Sequence, residues 1–169
     1  EMSEYALYKI EQELAEHCAS GHYRSGIEIF PELVNTTAAR PVASLMATYR
    51  PETVFHAAAY KHVPLMEENP SQAIQTNVEG TKNVADLACE FKVKKFVMVS
   101  TDKAVNPSNV MGASKRIAEK YVQSLQLRSV KENNGKGTKF ITTRFGNVLG
   151  SNGSVVPLFS KQIAAGGPV

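Results

Sequence analysis

The amino-acid sequence predicts an α/β fold with a doubly wound parallel sheet, and two observations support this prediction. Three short apolar segments have the character of buried strands: TVFHAAA (residues 53–59), KKFVMVS (94–100) and TKFITTRF (138–145). Segments with helical spacing of apolar residues lie between them, at residues 70–91 and 110–129. Strands that alternate with helices of crossover length are typical of a parallel sheet with helices on both faces.

The segments on either side of this alternating unit also show regular patterns. Ser3 is a suitable N-cap for an amphipathic helix over residues 4–18. Residues 27–30 indicate a short strand and residues 38–48 a helix, and residues 155–166 indicate a last helix after a glycine-rich loop. The chain begins on a helical pattern without Met and ends on AAGGPV, so we expect it to belong to a longer protein.

The composition indicates one globular domain and argues against several functional classes. The chain has 169 residues, 43% hydrophobic and 21% charged, which suffices for one core. Acidic and basic residues are interspersed and the net charge is only +3, so a small anionic substrate is favoured over nucleic acid. No apolar run approaches the ~18 residues of a membrane span, and no signal peptide opens the chain.

The cysteines and histidines do not have the spacing of a disulfide framework or a metal site. Cys18 and Cys89 are far apart, and Cys89 lies in an apolar helical pattern, which predicts two buried free thiols in a reducing compartment. His56 and His62 are six positions apart with no third ligand in view. We therefore predict no metal site and expect His56 to be structural.

Polar and small residues follow each of the three predicted strands. The clusters are HAAAYKH (residues 56–62), STDK (100–103) and RFGNVLGSNGS (144–154). Parallel strands end at the same edge of the sheet, and ligands bind in the crevice outside their carboxyl ends. The sequence therefore predicts that the three clusters meet in one site.

Two pairs of residues in this region have both a catalytic and a plain interpretation. Asp102 and Lys103 are adjacent, so they suit a general acid and base in a crevice, or simply a solvated turn. Met111 and Lys115 are four residues apart and share a helix face. On that face Lys115 can bind a cofactor ribose, or it can be a solvated lysine beside a core methionine. Methionine cannot transfer a proton.

The clusters after the first and third strands are compatible with a phosphate-bearing ligand. The small side chains of Ala57, Ala58 and Ala59 let a ligand approach the backbone, and Lys61 can meet a phosphate, a sugar hydroxyl or water. The glycine-rich loop at residues 146–154 can wrap a diphosphate, although plain connections use the same residues.

Four motifs together resemble one enzyme family. HAAAYKHVPLMEENP, QTNVEGTKNV, STDKAVNPSNVMGASKR and RFGNVLGSNGSVVPLF follow in this order. They resemble the nucleoside-diphosphate-sugar dehydratases of polysaccharide biosynthesis, in the extended short-chain dehydrogenase/reductase superfamily, and most closely the UDP-N-acetylglucosamine 4,6-dehydratases of the capsular type. The resemblance implies a Rossmann fold with NAD(P) and a reaction that oxidises the sugar at C4, eliminates water across C5 and C6, and returns the hydride to C6.

The resemblance also implies roles for individual residues. Asp102 would protonate the departing C6 hydroxyl, Lys103 would take the C5 proton, and Thr101 would hydrogen-bond the C4 hydroxyl. Lys115 would bind the nicotinamide ribose, while Met111 stands where the superfamily usually has a catalytic tyrosine. The base for C4 would then move to Thr101, to Asp102 or to a water near Lys115.

Further contacts to substrate and cofactor are implied in the same way. Expected on the substrate side are Asn147, Val148, Ser151, Lys103 and Lys61. Expected on the cofactor side are Glu1, Asn35, Ala57, Ala58, Ala59, Lys61, Asn77 and Lys115. A carboxylate at Glu1 would accept from the adenosine ribose hydroxyls and repel a 2′-phosphate, which favours NAD over NADP.

The resemblance finally implies a larger assembly. Residues 1–169 would be a partial dinucleotide-binding domain, truncated at both ends, because the glycine-rich pyrophosphate turn would precede Glu1 and the substrate lobe would follow Val169. The whole protein would be a homodimer or higher oligomer, paired through the helices at residues 70–91 and 110–129. Long-chain members with Met at the tyrosine position are tethered to the membrane, so we expect a location at the cytoplasmic face of the bacterial inner membrane.

Three functions remain open from the sequence. The Asp102–Lys103 pair favours a 4,6-dehydratase that acts on UDP-N-acetylglucosamine. A 4-epimerase or a reductase on the same scaffold is the second possibility. A non-catalytic nucleotide-binding module is the third, and Met111 is the residue that motivates it.

Overall fold

The chain forms a three-stranded parallel sheet with flanking helices in a computed structural model that describes residues 1–20, 26–133, 137–148 and 155–169. The order of elements is α1 (Glu4–Ala19), α2 (Ala39–Tyr49), β1 (Thr53–His56), α3 (Val63–Glu68), α4 (Pro70–Ala73), a π-helical turn (Ile74–Glu79), α5 (Gly80–Glu90), β2 (Lys95–Thr101), a 3₁₀ turn (Asp102–Ala104), α6 (Val110–Asn133), β3 (Lys139–Phe145) and α7 (Val155–Ala164). The strands lie in the order β1-β2-β3, and both pairs are parallel. The predicted α/β class with a parallel sheet is confirmed.

One face of the sheet holds the core. Along β2, Phe96, Met98 and Ser100 are buried, and α5 and α6 pack beside the strands. The side chains that alternate with them point to the second face, where Phe55 of β1 is 74% exposed. Helices of the described residues therefore pack most closely on one face. The core cluster comprises Val42, Met46, Val84, Ala85, Leu87, Ala88, Val93, Phe96, Met98, Ala118, Val122, Leu125 and Phe140.

The first turn of α6 is fixed by two side-chain oxygens. The Asn109 Oδ1 accepts from the Gly112 backbone N at 2.7 Å, which is the usual N-cap bond. The Glu67 carboxylate accepts from the Val110 N at 2.6 Å, and an acidic group at this end is also favoured by the helix dipole. These bonds set where α6 begins, and thus where Met111 lies.

The helix predicted over residues 70–91 is interrupted by the π-helical turn Ile74–Glu79. It begins at Pro70 as expected, but the extra residue in the turn rotates the helix face that follows. The apolar Ile74 is 39% exposed, whereas the polar Thr76 and Asn77 are buried. The strict 3.6-residue pattern was therefore wrong for this turn.

The strand predicted over residues 53–59 ends at His56. Beyond it, the N–H and C=O groups of Tyr60 bond to the Asn77 side chain rather than to a strand. The sequence prediction also missed helix α3, Val63–Glu68, although Pro64 at its first turn is a suitable start signal.

The strand predicted at residues 27–30 is not formed. A strand needs a hydrogen-bonded neighbour. In the described residues such pairing occurs at residues 32–34, just after the predicted strand, and the partner is Glu1. The Glu1 N donates to the Glu32 O at 3.3 Å, and the Val34 N donates to the Glu1 O at 2.9 Å. This alternation is the bonding pattern of two parallel strands.

Three smaller predictions have mixed outcomes. Ser3 caps α1, with its Oγ accepting from the Ala6 N at 3.3 Å. Both cysteines are free, but Cys18 is half-buried and Cys89 is exposed. Cys89 is exposed because the buried face of α5 consists of other residues. The turn predicted at residues 133–137 and the glycine-rich loop fall largely outside the described residues.

Among the helices described, none combines the length and apolar character that a membrane crossing requires.

Candidate active site

A cavity of about 780 Å³ lies at the carboxyl ends of the three strands, which is within the usual range for small-molecule sites. Its walls come from the loop after β1, the end of β2 with its 3₁₀ turn, the first turns of α6, and the loop after β3. The lining residues include Ala57, Ala59, Tyr60, Lys61, His62, Val99, Ser100, Thr101, Lys103, Met111, Lys115, Phe145, Gly146, Asn147 and Val148. The three clusters that follow the strands therefore meet, as the sequence predicted.

Most predicted site residues line this cavity, and a minority do not. Asp102 is not among the lining residues, but it lies beside Thr101 and Lys103, which are, and is bonded to both. Ser151 lies outside the described residues. The other predicted residues that do not line the cavity are Glu1, Asn35, Ala58 and Asn77.

The 3₁₀ turn after β2 brings three predicted catalytic side chains together. The Thr101 hydroxyl donates to the Asp102 Oδ1 at 2.9 Å and accepts from the Lys103 backbone N at 3.3 Å. The Lys103 Nζ lies 3.3 Å from the same Asp102 Oδ1. One carboxylate oxygen thus accepts hydrogen bonds from both a hydroxyl and an ammonium group.

These contacts set the charge of Asp102. The hydrogen bond from Thr101, followed by the one from Lys103, lowers the pKa of the Asp102 carboxyl below its usual range. Asp102 is therefore a carboxylate at neutral pH in the free site. It is ready to accept a proton, and it can donate one only after it has received it.

The loop after β3 completes this part of the wall. The Lys103 Nζ also approaches the Asn147 Oδ1 at 3.4 Å, so Lys103 lies between β2 and β3. A Cβ at Gly146 would lie 3.7 Å from the Asp102 Oδ2, an ordinary contact distance. The ends of both strands therefore converge on the Asp102–Lys103 pair.

Lys115 enters the cavity from α6 as a nearly buried ammonium group. Its Nζ donates to the Val99 carbonyl at 2.7 Å, and 4% of the residue is exposed. Desolvation lowers the pKa of Lys115 to about 8, while the nearby Glu119 carboxylate acts in the opposite direction. Lys115 is therefore mostly protonated at pH 7 and sensitive to its surroundings.

Met111 lies one turn before Lys115 and belongs to both the cavity wall and a small core. It is 3% exposed and packs with Met66 and Ala73, beside the half-buried Tyr60 and Val63. Its thioether supplies no proton-transfer group. The structure therefore combines the two interpretations of Met111, because the residue is core and wall together.

Gly112 allows α6 to approach the turn that carries Lys103. A Cβ at this position would lie 2.4 Å from the Lys103 carbonyl oxygen and 3.2 Å from the Asn109 Oδ1. The first distance is much too short for any side chain. Glycine is therefore required here for the close contact between helix and turn.

Asn77 acts on the cavity from behind its wall. It is fully buried, its Oδ1 accepts from the Tyr60 N at 2.8 Å, and its Nδ2 donates to the Tyr60 O and to the Ser114 Oγ. All its amide groups are thereby used within the protein. Asn77 thus holds the loop that carries Tyr60, and its expected cofactor contact stays a prediction.

His56 is structural, as predicted. It is buried, and its Nε2 lies 2.9 Å from the Thr81 Oγ1. Burial, together with the charge of Lys115, lowers the pKa of His56 to about 4, so the ring is neutral at pH 7. In the described parts of the chain, no three His, Cys, Asp or Glu side chains are grouped to hold a metal ion.

Glu1 and Asn35, expected at the adenosine end of a cofactor, satisfy local backbone groups. The Glu1 Oε1 accepts from the Met2 N and the Ser3 N, both at 3.0 Å. The Asn35 Oδ1 accepts from the Thr37 N at 2.9 Å, just before α2. Both residues lie away from the cavity wall, so their cofactor contacts stay predictions.

The sequence analysis missed a buried charged group behind the cavity. Glu119 is fully buried on α6 and bonds to the guanidinium groups of Arg144 and Arg116. The available signal was its position, four residues after Lys115 and eight after Met111, on the same helix face.

Known proteins with similar sequences make or modify sugars and polysaccharides, according to their names. The chain is 54% identical over 98% of its length to the capsular polysaccharide biosynthesis protein CapD of Staphylococcus aureus. It is 50% identical over 67% of its length to a UDP-N-acetylglucosamine 4,6-dehydratase (inverting) of Campylobacter jejuni, and 51% identical over 67% to a UDP-glucose 4-epimerase of Rickettsia canadensis. The matches span 26%, 33% and 32% of these relatives, respectively, so the chain corresponds to a quarter to a third of their length.

Solved structures share the fold. The X-ray structure of Pen from Bacillus thuringiensis matches with a TM-score of 0.79 and 36% identity, over 96% of this chain and 45% of that one. UDP-glucose 4-epimerase of Thermus thermophilus, in complex with NAD, matches with a TM-score of 0.70 and 23% identity, over 92% of this chain and 59% of that one. The second match shows the Rossmann-type fold alone.

A family model described as polysaccharide biosynthesis protein matches residues 1–169. The match covers every segment that forms the cavity, and the relatives named above are dehydratases, epimerases and capsule proteins. The family expected from the four motifs is thereby confirmed. The chain belongs to the polysaccharide biosynthesis protein family of the epimerase and dehydratase superfamily.

Proposed function

We propose that the whole protein is an NAD-dependent 4,6-dehydratase that converts UDP-N-acetylglucosamine to a UDP-4-keto-6-deoxy sugar. The observation that carries this proposal is the hydrogen-bonded group Thr101, Asp102 and Lys103, of which Thr101 and Lys103 line the same cavity as Lys115. An acid and a base on one turn suit an elimination, because the reaction must remove a proton from C5 and a hydroxide from C6.

The cavity has features that fit a nicotinamide cofactor. The Lys115 Nζ uses one donor on the Val99 carbonyl, and its other two donors are available to ribose hydroxyls in the cavity that it lines. The small side chains of Ala57 and Ala59 leave the backbone after β1 accessible. NAD bound there would supply hydride acceptance from C4 and hydride return to C6. The Thermus relative in complex with NAD supports this choice of cofactor.

Thr101 and Asp102 supply a proton relay in place of the missing tyrosine. The Thr101 hydroxyl donates to the Asp102 carboxylate, so Thr101 can take the C4 hydroxyl proton while it passes its own proton to Asp102. Asp102 is then protonated and can give this proton to the departing C6 hydroxyl, which leaves as water. The low pKa of the free Asp102 fits this order, because the acid is generated during the reaction.

Lys103 is suited to remove and return the proton at C5. Its Nζ lies between the Asp102 Oδ1 and the Asn147 Oδ1, on the same side of the cavity as the relay. As the amine it would take the C5 proton, which the C4 ketone acidifies, and as the ammonium it would return a proton to C5 after hydride addition at C6. The substrate therefore loses one water and no net proton.

The test uses the full-length protein with UDP-N-acetylglucosamine in D₂O. We expect a product lighter by one water, with a C4 ketone and solvent deuterium at C5, as seen by mass spectrometry and NMR. Recovery of an isomer of unchanged mass without deuterium at C5 would instead identify an epimerase. Binding of NAD and substrate without any product would identify a nucleotide-binding module.

A 4-epimerase is the second candidate, because the chain is also 51% identical to a UDP-glucose 4-epimerase over 67% of its length. Epimerisation at C4 needs proton transfer at one hydroxyl and has no use for a base at C5. The Asp102–Lys103 pair therefore favours the dehydratase, and the deuterium label at C5 separates the two reactions.

The oligomer and the membrane tether expected from the resemblance belong to this proposal as well. Supporting an oligomer, α6 exposes Ile117, Leu127 and Val130, of which Leu127 is 63% exposed. We expect sedimentation of the full-length protein at micromolar concentration to show a dimer or larger species, and a monomer would contradict the expectation. The tether is tested by whether the native protein fractionates with the inner membrane.

A further inference from the structure

The buried carboxylate of Glu119 joins α6 to β3 through an arginine. The Glu119 Oε1 accepts from the Arg144 Nε at 2.8 Å, and the Oε2 accepts from the Arg144 Nη2 at 2.7 Å. This two-point contact fixes both the distance and the orientation of the guanidinium plane. A third donor, the Arg116 Nη1 at 3.1 Å, comes from α6 itself and links no second element.

Each end of this pair lies next to a wall of the cavity. Glu119 lies four residues after Lys115, on the same helix face. Arg144 is the second-to-last residue of β3, and Phe145, Gly146 and Asn147, which follow it, all line the cavity. The pair therefore connects the element that holds Lys115 to the segment that holds Asn147.

The energetics of the pair indicate a role beyond stability. The Glu119 carboxylate is fully buried, whereas the Arg144 side chain is 37% exposed. Desolvation of the carboxylate offsets much of what the ion pair contributes to stability. What the two-point contact provides is a single arrangement of α6 relative to β3. Burial raises the pKa of Glu119, but hydrogen bonds from Arg144, Ser100 and Arg116 outweigh burial and lower the pKa to about 2.

We propose that Glu119 and Arg144 are positioning residues that set the distance between Lys115 and the Asn147 loop, and through Asn147 the place of Lys103. This inference rests on the proposed dehydratase function. A displacement of about 1 Å at a reacting group is enough to lower a rate on the order of 10²-fold. The pair acts through its neighbours and touches no cavity wall itself.

The same carboxylate keeps Lys115 charged. The negative charge of Glu119 raises the pKa of Lys115 against desolvation. The groups in electrostatic contact with Lys115 are Glu119 of α6 and His56 of β1. Lys61, His62 and Lys103 share the cavity that Lys115 lines. His56 is neutral above its pKa of about 4 and adds no charge beside Lys115 at neutral pH. Glu119 is the carboxylate whose charge acts on Lys115. Loss of its charge should therefore make Lys115 more acidic.

The experiment compares three variants of the full-length protein. Arg144→Lys keeps the charge but loses the two-point contact, Glu119→Gln keeps the shape but loses the charge, and Arg116→Gln is the matched control. Arg116 donates to the same carboxylate without linking α6 to β3. We expect Arg144→Lys to lower kcat on the order of 10²-fold with KM nearly unchanged, and Arg116→Gln to have little effect.

Glu119→Gln has a separate readout in pH. The alkaline limb of the kcat/KM profile should shift to lower pH, and the NMR titration of ¹⁵N-labelled Lys115 Nζ should shift in the same direction. Equal losses in Arg144→Lys and Arg116→Gln, or an unchanged Lys115 titration in Glu119→Gln, would overturn the proposal. If the wild-type protein forms no product, the proposed function fails, while the NMR titration still tests the pair.

Discussion

Two charged regions around the cavity differ in their exposure to solvent. The 3₁₀ turn after β2 presents an ion pair whose side chains are 59% exposed at Asp102 and 38% at Lys103. The inward face of α6 presents Met111, Lys115 and Glu119, all of them buried. At the turn, direct hydrogen bonds set the protonation state, whereas on the helix face desolvation is the main influence on Lys115. In the proposed mechanism, the groups that exchange protons therefore lie at the open turn, and the groups that hold charge and shape lie on α6.

Asp102→Asn and Lys103→Ala should have the largest effects, because they remove the two groups of the turn that are proposed to accept and return protons. A positioned acid or base contributes ~10²–10⁴-fold, so each substitution should lower kcat by about this factor. The measurement is turnover of UDP-N-acetylglucosamine by the full-length variants. The control is Glu52→Gln, which breaks an exposed ion pair with Lys94 away from the cavity. An Asp102→Asn variant as active as this control would contradict the proton relay.

Gly112→Ala should break the contact between the two regions. Its Cβ would lie 2.4 Å from the Lys103 carbonyl oxygen, so either the turn or the helix must move. Overpacking of this kind costs about 1–3 kcal/mol in the free energy of unfolding, and a displaced Lys103 should lower kcat on the order of 10²-fold. Urea unfolding and turnover measure the two effects separately.

Ala113→Gly provides the comparison for Gly112→Ala. It replaces alanine by glycine at the neighbouring helix position. The free energy of unfolding should fall by about 1 kcal/mol through helix propensity alone. Turnover should then stay close to the wild-type value. Equal kinetic losses in the two variants would show that α6 tolerates no change here, rather than that the Lys103 turn needs this contact.

The pH dependence of stability should reflect the buried region. The pKa of His56 is about 4 in the folded protein and about 6.5 in the unfolded chain, so the unfolded chain binds the extra proton between these values. Stability from His56 is therefore complete above about pH 6.5 and is lost as the pH falls towards 4. Between pH 7 and pH 5 the loss should be about 2 kcal/mol.

Urea unfolding at both pH values measures this loss, and His56→Gln is the matched variant. Glutamine can still bond to the Thr81 hydroxyl but does not titrate, so the difference between pH 7 and pH 5 should shrink. Glu119, with a folded pKa of about 2, acts in the same direction but mainly below pH 4.5. An unchanged difference in His56→Gln would assign the pH dependence to other groups.

The contrast between the regions also explains what the sequence could predict. The strands, the helices after them and the meeting of three polar clusters follow from apolar spacing and from the geometry of parallel sheets. The spacing of apolar residues could not reveal the π-helical turn at Ile74–Glu79, since the one extra residue in the turn has no signature in the amino-acid composition. The Glu119–Arg144 pair joins residues 25 apart in sequence, and its formation depends on how α6 packs on β3. The exposed turn was therefore recognised from its residues, and the buried network required the fold.

Met111→Leu should have the smallest effect and sharpens the comparison most directly. Leucine nearly conserves the volume beside Met66 and Ala73, so the cost in stability should be below about 1.5 kcal/mol. Neither side chain transfers protons, so kcat should stay within a few-fold of the wild-type value. Met66→Leu is the control, because Met66 packs in the same cluster without lining the cavity. A loss in Met111→Leu as large as that in Asp102→Asn, with Met66→Leu unaffected, would place the chemistry on α6 and refute a base at the turn.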